Sequence, residues 1–155
     1  HAETISEKNL ARVKAMGGGI AVQDRMAFAG EIFANRYGKE AAAHAPPLRA
    51  MVRAGIPVGA GTDATRVSSH HPWLSLYWMV TGKTLGGTQL YPKENRLTRE
   101  EALRLYTVGS AWVSGEEGQK GGVVPEDLGA FDRVAITAVL GLGEQGGLDR
   151  LTGLG

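Results

Sequence analysis

The sequence predicts an α/β chain built on a short parallel sheet. Three observations carry that reading. Helix-like and strand-like segments alternate as helix, strand, helix, helix, strand, helix, helix, strand, the alternation expected of βα units and not of a helical bundle. The strand segments GIAVQDR and IPVGAG are short and apolar on both faces, as buried parallel strands are. Turn residues bound each of them.

The elements follow in order. SEKNLARVKAMGG reads as a helix with Ser6 as N-cap, Leu10, Val13, Ala11 and Met16 on its inner face and Gly17 as its stop. GIAVQDR is the first strand. FAGEIFANRYG is a helix weakened by Gly30, and PPLRAMVRAG is a second helix with prolines where a first turn tolerates them and Gly55 at its end. IPVGAG is the second strand. The loop TRVSSHH leads into PWLSLYWMVTG, whose apolar residues fall all round a helix and predict a well-buried one. In TREEALRLYTVGSAWVSG, Thr98 and Glu101 form a capping box. A last strand is expected at residues 133–139, ahead of a glycine-rich tail with little to bury.

Composition narrows the function. A chain of 155 residues with 43% hydrophobic content has a core of its own. Seventeen basic and sixteen acidic residues leave a net charge of +1, which provides no field for nucleic acid or an anionic membrane. No cysteine is present, so disulfides and thiolate metal sites are out, in keeping with a cytoplasmic setting. P-loop, GxSxG and HExxH patterns do not occur, and the glycines of GGGIAVQ precede their strand, where a dinucleotide loop would follow it.

One carboxylate stands out. In PVGAGTDATRV a smooth strand runs into Asp63, and in parallel sheets the loops after strand ends hold catalytic groups. Asp63 is either a turn or cap carboxylate or a metal ligand and general base; Gly59 and Gly61, which permit close approach, favour the second. His1 precedes Asp63 by 62 residues, close to two βα units. His44 lies just before a helix, Arg66 and the pair His70 and His71 in the loop after Asp63. Trp73, Tyr77 and Trp78 read as core.

Together, HAETI, GGGIAVQ, PPLRAMVRAGIPVGAGTDATRV, PWLSLYWMVTGKT, NRLTREEALRLYTVGSAW and KGGVVPEDLGAFDRVAI resemble, in order and spacing, the C-terminal part of metal-dependent amidohydrolases of the amidohydrolase-3, or YtcJ-like, branch. The resemblance covers residues 1–139. It implies a TIM-type (β/α)8 barrel, represented by about strands 6–8, with the start of an attached β-sandwich. The domains expected are a partial barrel at 1–115, sandwich strands at 116–139 and a disordered tail at 140–155. By the resemblance His1 is a metal ligand ending strand 6, and Asp63, ending strand 8, is a metal ligand and the proton shuttle. His44, Arg66 and His70 are expected to contact substrate. The cofactor implied is a divalent metal, zinc first, with iron and manganese as alternatives.

The family's HxH pair, its strand-4 ligand and its strand-5 histidine have no counterpart in the sequence. A full barrel takes about 200 residues or more, and the chain opens on His1 instead of Met, so a fragment with further sequence upstream is expected. Its function is hydrolysis of non-peptide carbon–nitrogen bonds in a small amide-type substrate by metal-activated water. The alternative is an inactive remnant or interaction module. Exposed strand edges are expected to pair with a second copy, giving a homo-oligomer.

Overall fold

A computed structural model describes residues 1–66 and 68–122. The expected strand at 133–139 and the glycine-rich tail lie outside the described residues, as does most of the segment assigned to the sandwich.

Helix α1 (Glu7–Ala15) starts where Ser6 accepts a hydrogen bond from the Asn9 amide. Leu10 is its buried residue, Val13 is half-buried, and Ala11 and Met16 are exposed, contrary to expectation. Met16 is the C-cap, so its side chain leaves from a turn that has already departed the core, and it is 75% exposed.

Strand β1 (Ile20–Gln23) is shorter than GIAVQDR, because Asp24 turns out of the extended backbone and α2 (Arg25–Tyr37) begins at once. Helix α3 (Lys39–Ala43), separate in the structure, follows Gly38 at a φ of 93°. Helix α4 (Leu48–Arg53) buries Leu48 and Met51, and Gly55, at a φ of 66°, turns the chain into strand β2 (Val58–Gly61). Helix α5 (Pro72–Thr81) has proline in its first turn and a left-handed Gly82 as C-cap. Of its three aromatics Trp78 alone is in the core, fully buried and packed on Tyr91 with ring centroids 5.5 Å apart, while Trp73 and Tyr77 are half-buried, contrary to expectation.

The two strands are parallel, with Ile20 opposite Val58 and Gln23 opposite Gly61. Both therefore end at one level, and Asp24 and Thr62–Asp63 leave from the same edge. Residues 1 and 2, the expected end of a preceding strand, pair with no strand among the described residues.

The capping box of helix α6 (Arg99–Arg104) is complete in both directions. The helical stretch that this capping box opens is interrupted by a π-helical turn (Leu105–Gly109) before α7 (Ser110–Val113). The break seats the chain against β2. A Cβ at Gly109 would stand 1.9 Å from the Val58 carbonyl oxygen, and one at Gly59 would stand 3.1 Å from the Gly109 oxygen. Ser110 secures the contact by donating to the Ala60 carbonyl at 3.0 Å. A side network ties α4 to α6: Arg49 binds the Arg96 carbonyl at 3.0 Å through Nε and Glu101 at 2.5 Å, while Asn95 accepts from the Arg49 amide and donates to the Ala43 and Pro46 carbonyls.

Gly109→Ala puts a methyl where the strand backbone stands, so an overpacking loss of about 2–3 kcal/mol is expected. Urea unfolding of the purified variant measures it; an unchanged midpoint would show that this contact does not carry the strand.

Candidate metal centre

The site is built at the strand ends. Asp63 has a φ of 53° and Ala2 a φ of 55°, left-handed conformations that non-glycine residues adopt rarely and that gather at functional sites. These two bends bring together the side chains singled out in the sequence: His1 Nε2 lies 4.0 Å from Asp63 Oδ2. They share the wall of a pocket of about 260 Å³ with Gln23, Gly61 and Ser110. The two glycines before Asp63 divide their work. Gly59 is filled by packing against α7, whereas nothing lies within 4 Å of a Cβ on Gly61, which leaves the backbone beside Asp63 open.

The turn after β2 does not use the Asp63 carboxylate. Thr62 Oγ1 accepts the Ala64 amide, the Ser68 hydroxyl donates to the Thr62 carbonyl, and α5 has no side-chain cap. Among the described residues the polar partner of Asp63 is His1.

An imidazole nitrogen and a carboxylate oxygen are donors suited to zinc, iron or manganese. Adjacent ligands at about 2.0–2.2 Å from one ion in a tetrahedral shell stand about 3.3–3.6 Å apart, so the His1–Asp63 separation of 4.0 Å is within about half an ångström of that spacing. No group of three or more His, Cys, Asp or Glu able to hold a metal occurs among the described residues.

Arg66 and His70 are exposed in the loop after Asp63, and the His70 ring stacks on His71 with centroids 5.2 Å apart. His44 is exposed at the end of α3 and lines a separate groove between α1 and α4 with Lys14 and Arg53.

A model of the Amidohydrolase family (Amidohydro_3) matches residues 1–128. The chain belongs to this family. Over 77 residues it is 32% identical to an N-substituted formamide deformylase of Arthrobacter pascens, a match covering 50% of this chain and 14% of that protein. It also resembles the crystal structure of an uncharacterized metal-dependent hydrolase from Pyrococcus horikoshii, with a TM-score of 0.65 and 26% identity over 78% of this chain and 25% of the other. This amidohydrolase chain thus spans a quarter or less of the length of these relatives. Among its described residues no helix is long and apolar enough to cross a membrane.

Sequence reasoning missed Asp24. It is fully buried, and neither of its carboxylate oxygens has a hydrogen-bond partner among the described residues. Burial lifts the carboxyl to about 6, against smaller opposing contributions from the Ser68 hydroxyl and its own backbone N–H. No donor meets the carboxylate at hydrogen-bonding geometry, so Ser68 supplies a field and not a full bond. The available signal was positional, an ionisable residue directly after an apolar strand.

This shift sets a pH dependence. The folded chain holds the Asp24 proton more tightly than the unfolded chain does, so the stabilisation is complete below the unfolded value of 3.8 and is lost as pH rises to about 6. Asp24→Asn cannot titrate. Between pH 4 and pH 7 its stability relative to wild type is expected to rise, by at most about 3 kcal/mol; urea unfolding of both proteins at the two pH values checks this, and parallel curves would refute it.

Proposed function

We propose that this chain supplies His1 and Asp63 to the metal centre of a hydrolase that cleaves non-peptide carbon–nitrogen bonds in small amide-type substrates. The proximity of His1 Nε2 and Asp63 Oδ2 at the strand ends carries this reading, together with an Asp63 carboxylate not spent on capping the turn. The substrate class is taken from the formamide deformylase to which the chain is similar. The metal is a divalent ion, with zinc, iron and manganese all compatible with these donors.

Two strands and their helices correspond, in this reading, to the late strands of a (β/α)8 barrel, β1 to strand 7 and β2 to strand 8, with His1 at the end of strand 6. The remaining ligands of such a centre are not among the described residues. A bound divalent ion provides Lewis acidity and an acidified water. Asp63 accepts the proton of the attacking water on a carboxylate oxygen and returns it to the departing nitrogen as the C–N bond breaks. His1 holds its imidazole nitrogen toward the same point, and Arg66 and His70 are placed on the adjoining loop to meet substrate. The cavity floor at Gly61 leaves room for that approach.

Asp63→Asn keeps the shape of the turn and one ligating oxygen but removes the base. In the full-length enzyme carrying this segment, kcat on an N-formyl amine is expected to fall by about 10²–10⁴-fold, while bound metal, measured by elemental analysis, declines less. A carboxylate that served only the turn would be replaced by asparagine at little cost. Equal turnover in the two proteins would remove Asp63 from the mechanism.

A further inference from the structure

Between the sheet and Asp63 the main chain has few fixed points. The ladder with β1 ends at Gly61, where a Cβ would meet nothing within 4 Å. The side-chain hydrogen bonds of Thr62 stay within its own loop: its hydroxyl accepts the Ala64 amide and its carbonyl accepts the Ser68 hydroxyl. The Asp63 carboxylate adds no firm anchor, since its polar partner among the described residues is the exposed His1. A loop tied chiefly to itself moves as a unit with the strand end that carries it.

Ser110 holds that strand end from a separate element. Its hydroxyl donates to the Ala60 carbonyl at 3.0 Å and to the Leu105 carbonyl at 3.2 Å, and the residue lines the pocket shared by His1 and Asp63. Ala60 precedes Asp63 by three residues. A hydroxyl has one hydrogen to give, so a single O–H links the strand to the carbonyl at the head of the π-helical turn. The turn itself aims this side chain. Successive residues of an α-helix are rotated by about 100°, and the extra residue of a π turn changes which one faces β2. Such turns are frequent at functional sites.

We infer that Ser110 is a positioning residue for Asp63: by holding the Ala60 carbonyl to the π-helical turn, its hydroxyl fixes the direction in which the last residues of β2 deliver the carboxylate to the pocket. The consequence for catalysis rests on the proposed role of Asp63; the anchor itself does not. Alanine at 110 removes the O–H and leaves the backbone contact of Gly109 with Val58 in place, whereas threonine keeps the O–H.

Hydrogen exchange of the chain, read by mass spectrometry on peptides covering 59–66 and normalised to helix α4, tests the anchor. Exchange there is expected to be about fivefold faster in S110A and close to the wild-type rate in S110T. In the full-length enzyme carrying this segment, S110A is expected to lower kcat on an N-formyl amine about tenfold or more with a smaller change in KM, because a misplaced base is felt in the transition state. That loss should vanish in a D63N background, since Ser110 acts through Asp63. Unchanged exchange in S110A, or a kcat loss as large in D63N as in wild type, overturns the inference. D63N at full turnover defeats the proposed function alone, and faster exchange at 59–66 in S110A then still establishes the anchor.

Discussion

The place of Asp63 depends on the close approach of two glycines, Gly59 in β2 and Gly109 in the π-helical turn. Among the described residues β2 has one strand neighbour, β1, so the ladder described here constrains it from a single side. The second constraint is the backbone of the chain after α6, which lies against Val58 and Gly59 with no room for a side chain between. Ser110, bonded to the Ala60 carbonyl and to the Leu105 carbonyl, holds strand and turn in one register. A π-helical turn adds a residue to the helical repeat, and here it delivers Gly109 and Ser110 together to the strand. Everything downstream, including the direction in which Asp63 leaves the sheet, inherits that register.

The scaffold, and not mutual attraction, brings His1 and Asp63 together. Their side chains are 50% and 44% exposed, and exposed pairs contribute little after screening and side-chain entropy. What fixes them is backbone geometry: the strand ends at one level and the two left-handed residues, Ala2 and Asp63. Such a pair is pre-organised for a third party that can bind both groups. In the function proposed above, that third party is a divalent metal.

Local signals were enough to read the two strands, the Thr98–Glu101 capping box, the buried face of α5 and the glycine stop after α4, because each rests on short-range chemistry. The association of His1 with Asp63 was also foreshadowed by their spacing and by family resemblance. Three features were not legible. The π-helical turn comes from a steric demand by Val58 and Gly59, some 50 residues earlier in the chain, and LYTVGS carries no local mark of it. Met16 has helical periodicity but sits where the helix has already turned away from the core. Asp24 escapes a reading of GIAVQDR as one strand, and only the fold shows that its carboxyl group is fully buried.

The parallel pairing has a consequence for how the molecule assembles. Partners in the sheet lie 38 residues apart, at a constant offset from Ile20–Val58 to Gln23–Gly61. The loop between them, with three helices in it, has to close before the first rung of the ladder forms, and the entropy of that closure is spent before any strand contact repays it. The helices can form early, since their contacts are local. The sheet, and with it the only arrangement that seats Asp63, is then a late event along the folding route, dependent on α2 to α4 having already shortened the distance its strands must cover.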